Sequence, residues 1–147
     1  MAHDRVCTGI RGLDEVLHGG LVPGQTYLVR GGPGTGKTTL GLHFLAAGAA
    51  NQEKTLLITL GETSEQICRH GRSLGMQMDD LSFLDLSPTP EFFTTSQTYD
   101  IFSPAEVERE PTTQRIIEQI ETLQPDRLLL DAISQFRYLT SVPVQLR

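Results

Sequence analysis

The sequence predicts an α/β fold, with a mostly parallel sheet flanked by helices. Two observations carry this. Short apolar runs rich in β-branched residues alternate with stretches of one-face helical periodicity, the pattern of strands joined by helical crossovers. A glycine-rich octet, GGPGTGKT at residues 31–38, stands between one such run and one such stretch. In open α/β sheets, loops that follow strand C-termini form the ligand-facing edge.

Taken in order, residues 8–24 (TGIRGLDEVLHGGLVPG) hold five glycines around Leu13, Val16 and Leu17, which fits a helix of one to two turns between turns. Residues 25–30 (QTYLVR) read as a strand entering the glycine-rich loop, and residues 38–50 (TTLGLHFLAAGAA) as a buried helix leaving it. Residues 54–60 (KTLLITL) form a continuous apolar run, the mark of a strand covered on both faces. Thr63 with Gln66 three residues on makes a capping box, and that helix is expected to run to about Ser73 and stop near Gly75. Residues 81–86 (LSFLDL) are a short strand candidate.

Residues 87–110 form an irregular insertion containing Pro88, Pro90 and Pro104, and Phe92, Phe93, Tyr99 and Phe102 are expected to pack it on the domain or on a neighbour. Pro111 suits a first helical position, followed by Ile116, Ile117, Ile120 and Leu123 on one face. That helix should end before Pro125, and residues 127–131 (RLLLD) read as a strand ending in a carboxylate.

The octet fits G-x-x-x-x-G-K-[ST], a phosphate-binding loop. Its members are Gly31, Gly32, Pro33, Gly34, Thr35, Gly36, Lys37 and Thr38, with Thr39 following in the first helical turn. Glycines let successive backbone N–H groups turn inward onto phosphate oxygens. Lys37 is placed to reach the β/γ-phosphates and Thr38 to hold Mg²⁺. The helix beginning at Lys37 adds its dipole to the same anion site. The implied ligand is a nucleotide with β- and γ-phosphates, bound with Mg²⁺.

Asp131 closes an apolar strand, the Walker B pattern, and is the expected second metal-supporting group. Glu62, just past the strand at 54–60, is the candidate base or water-orienting residue for hydrolysis. It is equally an acidic residue beside a helix N-terminus, where it would stabilise the dipole. The sequence leaves both roles open. His3, His18, His43 and His70 have no metal-ligand spacing.

At 147 residues, 38% hydrophobic and 20% charged, the chain is one globular domain, residues 1–147, with a real core. No apolar run approaches the roughly 18 residues of a membrane span. The N-terminus lacks a signal-peptide core. Cys7 and Cys68 are isolated, which suits a reducing, cytoplasmic setting and structural burial. The net charge of −6 is uneven, with seven basic and six acidic residues in 1–78 but five basic and twelve acidic in 79–147. Without a basic stripe, nucleic-acid binding by this chain is not expected.

Three segments together, TGIRGLDEVLHGGLVPGQTYLVRGGPGTGKTTL, KTLLITLGET and RLLLDAIS, resemble the KaiC-like branch of the RecA/RadA superfamily of ATPases, in its signal-transduction type. The opening TGI-x-GLD with GG-L-x-x-G is the most specific part. The likeness runs over essentially the whole chain and is looser in 87–110. It implies a RecA-like P-loop core, Mg-ATP binding and hydrolysis, and homo-oligomeric, hexameric rings with nucleotide between subunits. In the clock ATPase itself it also implies serine/threonine autophosphorylation, with the acceptor in a second domain. Lys37, Thr38 and Asp131 match the family's motif positions; the zinc-binding cysteines of RadA/Sms proteins have no counterpart.

Two departures bear on mechanism. Family members commonly end the strand before Glu62 with two adjacent glutamates; here the pair reads Gly61-Glu62. The family's strand after Walker B, which inserts between the phosphate-loop strand and the Walker B strand, should begin well after Ser134. The chain is therefore expected to be an N-terminal portion of a longer protein, its fold incomplete at the C-terminus. The leading function is an ATP-hydrolysing signalling or clock-like switch. The alternatives are a RecA/RadA-type DNA-dependent recombination ATPase, whose DNA loops would lie after Walker B, and a non-hydrolysing ATP-gated scaffold, suggested by Gly61.

Overall fold

The apolar run at 54–60 becomes the central strand. In a computed structural model that describes residues 5–88 and 109–135, β1 (Thr55–Thr59) is buried at every position. It is flanked on both sides by parallel partners, β2 (Ser82–Asp85) and β3 (Arg127–Asp131), in the order β2-β1-β3. Burial on both faces explains why this strand shows no polar alternation. The register aligns the strand ends, with Thr59 opposite Asp85 on one side and opposite Asp131 on the other.

A short helix, α1 (Arg11–Val16), opens the chain, and α2 (Lys37–Ala50) follows the glycine-rich loop. Helix α3 (Ser64–Ser73) lies between β1 and β2, and α4 (Arg109–Leu123) precedes β3. The core joins Leu42 and Leu45 of α2, Leu57 of β1, Ile67 of α3, Met78 and Leu81, with Phe44, Cys68, Phe83 and Leu129 packed against it. Each fully buried aliphatic side chain contributes about 1.5–3 kcal/mol from leaving water. Helix α2 sits close on the sheet because Gly41 and Gly48 face it. A Cβ on Gly48 would lie 2.6 Å from Arg127 Cδ, and one on Gly41 would overlap the Leu129 side chain.

The capping box forms as its residues require. Gln66 N–H donates to Thr63 Oγ1 at 3.2 Å, and Thr63 N–H donates to Gln66 Oε1 at 3.0 Å. The helix ends at Ser73, and Gly75 takes a left-handed φ of 78° just beyond it. Helix α4 begins at Arg109, two residues before the expected start, so Pro111 falls in its first turn, where a missing N–H costs nothing.

Residues 25–30 differ from expectation. They belong to no sheet among the described residues, and Tyr27, Leu28 and Val29 are 48%, 66% and 49% exposed. An extended apolar segment becomes a strand only when another backbone pairs with it, and neither β3 nor any other described strand does so. The opening helix forms with the expected one to two turns, although Val16 of its apolar pattern is 75% exposed. Most of the irregular insertion, including its four aromatics, lies outside the described residues.

The N-terminal segment is held by polar contacts. The Thr8 N–H and hydroxyl both donate to Asp14 Oδ1, each at 2.8 Å, and Val6 and Leu21 exchange backbone hydrogen bonds. Among the described residues no helix is long and apolar enough to cross a membrane. Cys7 and Cys68 are free thiols, both half-buried; burial raises the Cys68 pKa, and the nearby Arg72 charge offsets part of that rise.

Candidate nucleotide site

The glycine-rich loop spans residues 31–36 and runs straight into α2. Gly34 and Gly36 have φ of 74° and 86°, conformations that a side chain would strain. Among the described residues a Cβ at Gly32, Gly34 or Gly36 would meet nothing within 4 Å, so they leave this rim open. Gly36 is the N-cap of α2 and gives the first helical turn no side-chain cap. The N–H groups of that turn are then free to serve an anion. Thr35 Oγ1 and Lys37 Nζ both donate to the Gly32 carbonyl, at 2.9 and 2.7 Å, which folds the lysine ammonium over the loop.

At the other side of the rim, Thr38 Oγ1 donates to Asp131 Oδ2 at 2.6 Å. These residues are 93 positions apart in the chain. Their contact joins the start of α2 to the C-terminal end of β3. A hydroxyl and a carboxylate in that relation, beside the glycine-rich loop, are hard oxygen donors of the kind Mg²⁺ takes when phosphate and water complete its shell. The described residues hold no cluster of three or more His, Cys, Asp or Glu, so such an ion would depend on phosphate oxygens and water for its remaining ligands.

Glu62 lies in the turn leaving β1. Thr59 Oγ1 donates to the Glu62 carbonyl at 2.5 Å, and Leu60 N–H donates to the Asp131 carbonyl at 2.8 Å. The turn is thereby fixed beside the end of β3, while the Glu62 side chain stays exposed and has no partner among the described residues. The structure brings Thr38 and Asp131 into contact and puts Glu62 on the same sheet edge. It gives no direct contact between Glu62 and the phosphate loop.

Two contributors, Asp85 and His70, carry no site role in the sequence reading. Asp85, opposite Thr59, accepts from Ser64 N–H at 2.6 Å and from the Ser87 hydroxyl at 2.6 Å and N–H at 3.0 Å, and so anchors the first turn of α3 next to Glu62. Burial alone would raise its pKa, but these hydrogen bonds outweigh it and hold the carboxyl below its ordinary value. Its signal was the same as that of Asp131, a carboxylate closing an apolar strand. Thr39 Oγ1 lies 3.1 Å from His70 Nε2, linking the first turn of α2 to α3. Nothing in the spacing of Thr39 and His70 foretells that contact.

Residues 6–147 match the family described as "ATPase: KaiC". The chain belongs to the KaiC ATPase family. It is 34% identical over 134 residues to the circadian clock oscillator protein KaiC of Parathermosynechococcus lividus, covering 86% of this chain and 23% of that protein. It is 32% identical over 140 residues to the DNA repair protein RadA of Aquifex aeolicus, covering 94% of this chain and 29% of RadA. To the Escherichia coli RadA protein it is 42% identical over 80 residues, or 54% of this chain and 17% of that one. The chain thus spans about a quarter of the length of these curated relatives. As a member of the KaiC ATPase family, it carries a RecA-like α/β P-loop fold, of which the three-stranded parallel sheet and its helices are part.

Proposed function

We propose that the chain binds Mg-ATP at the loop of residues 31–38 and hydrolyses it, as the nucleotide module of an oligomeric signalling or clock-like switch in the cytoplasm. The contact between Thr38 Oγ1 and Asp131 Oδ2 carries this reading, because it sets two metal-supporting oxygens beside the phosphate cradle. Loop N–H groups and Lys37 bind and orient the phosphates, Thr38 and Asp131 hold the ion that neutralises their charge, and Glu62 accepts a proton from water. Membership of an ATPase family supports the reaction class, and the relatives named for clock function support the switch.

The exposed apolar residues Tyr27, Leu28 and Val29, with Leu128 at 44% exposure on β3, support a further strand of a longer protein lying between residues 25–30 and β3. Ring assembly with nucleotide between subunits belongs to the same proposal.

A second reading rests on Gly61. With a single carboxylate in the turn after β1, the module would act as an ATP-gated scaffold with little turnover. Calorimetric titration with Mg-ATP, alongside Lys37→Ala, tests the first step. Binding abolished by the substitution is expected; equal binding by both proteins overturns the site. Phosphate release then separates hydrolysis from gating, and stimulation by single-stranded DNA would redirect the function to recombination.

A further inference from the structure

Gly61 leaves the end of β1 without a side chain next to Glu62, and another residue occupies the space beside it. A Cβ on Gly61 would lie 3.9 Å from Gln135 Nε2 and 4.0 Å from Gln135 Cγ, with no other non-neighbouring atom of the described residues as near. Gln135 ends the 3-10 turn Ile133–Gln135 that follows β3, and its N–H donates to the Ala132 carbonyl at 2.9 Å, which closes that turn. The Leu60 N–H bond to the Asp131 carbonyl clamps the two turns together at the sheet edge. The Gln135 side chain is therefore delivered by β3 onto the turn that carries Glu62, on the rim where Asp131 meets Thr38.

We propose that Gln135 is a water-positioning residue for ATP hydrolysis, its amide acting beside Glu62 where Gly61 supplies no group. This rests on the ATPase reading above. An amide side chain both donates and accepts, so it can hold a water by its proton and by its lone pair at once. It stays neutral across the pH range and adds no repulsion against phosphate oxygens. Glutamine serves to orient the attacking water in other phosphoryl-transfer sites. In the step, the water oxygen bonds to the γ-phosphorus as the bond to the β–γ bridging oxygen breaks. ADP leaves with that electron pair, and the water proton passes to the Glu62 carboxylate and then to solvent.

The test compares Gln135→Ala and Gln135→Glu with the wild type in steady-state ATPase and Mg-ATP calorimetry. Gln135 is exposed, so both variants are expected to fold. For Gln135→Ala, kcat should fall about tenfold or more while Kd for Mg-ATP stays within about twofold, the sign of a lost transition-state interaction. Gln135→Glu should not restore the rate at neutral pH, because an ionised carboxylate cannot donate and repels phosphate oxygens. Unchanged kcat in Gln135→Ala overturns the proposal, as does an equal loss in Kd. Wild-type protein that binds Mg-ATP without turnover also overturns it, while leaving nucleotide binding intact. Wild-type protein that does not bind overturns the site itself.

Discussion

Replacing Arg127 by Met should destabilise the fold by about 3 kcal/mol, the low end of the cost of breaking a buried ion pair. Arg127 is 3% exposed. Its guanidinium donates to both Glu53 oxygens at 2.5 and 3.0 Å, to the Cys7 carbonyl at 2.7 Å and to the Phe44 carbonyl at 2.8 Å. It also lies 4.8 Å from the Phe44 ring centroid. Burial works against its charge, yet the Glu53 and Cys7 hydrogen bonds and the Glu53 carboxylate raise its pKa. Each charge-assisted bond is worth about 1.5–3 kcal/mol against an unpaired group. They do not sum, because the Glu53 side chain is 30% exposed and can turn to water once released. Met keeps most of the buried volume, so little cavity term is added.

Urea unfolding followed by circular dichroism measures the loss. Pairing the change with Glu53→Met should give a double variant more stable than the two single losses predict, by about 1–3 kcal/mol of coupling. Since Arg127 stands at the opposite end of β3 from Asp131, Mg-ATP affinity of the folded fraction should be unaffected. A loss below about 1 kcal/mol for Arg127→Met would refute the reasoning and mark the pair as a solvated surface bridge.

Asp85 offers a pH test with a definite sign. Its folded pKa is depressed, so its contribution is full above the unfolded value of about 3.9 and is lost as pH falls through the folded pKa. Asp85→Asn should cost about 1–2 kcal/mol at pH 7, with the gap to wild type closing below about pH 4; a gap constant from pH 7 to 3 in denaturant titrations would contradict this. Thr55 Oγ1 is buried with no hydrogen-bond partner among the described residues. Thr55→Val should therefore leave thermal stability unchanged or raise it by about 1 kcal/mol, and a clear fall in midpoint would show that the hydroxyl is paired.

What the sequence made legible was local. Thr63 and Gln66 announce their helix start because a capping box is made and satisfied within four residues. The run at 54–60 announces a doubly covered strand because burial on both faces leaves an unbroken apolar string. The glycine-rich loop carries its chemistry in its own backbone. Pairing is not local, which is why residues 25–30 read as a strand although no described backbone joins them. Val16 fits a helical stripe, yet α1 is too short to carry that stripe against the core. Arg127 looks like the polar edge of an apolar strand, and only the fold reveals that Cys7, Phe44 and Glu53 converge on it. Gln135 had no signal at all, since its meaning depends on the absence of a side chain at Gly61, 74 positions earlier.

The alternation of β3 explains how the site is assembled. Residues two apart on a strand share a face. Arg127 reaches α2 at Phe44, Leu129 packs where Gly41 lets it, and Asp131 takes the Thr38 hydroxyl. The contacts therefore run from the C-terminal part of α2 to its first turn as β3 runs toward the phosphate loop. One five-residue strand fastens the helix at both ends, with Arg127 and Asp131 about 13 Å apart along it. A one-residue slip of β3 against β1 would turn all three side chains to the opposite face. The register that pairs Thr59 with Asp131 is thus a condition of the Thr38–Asp131 contact, and the buried Arg127 cluster at the far end of β3 helps to hold that register.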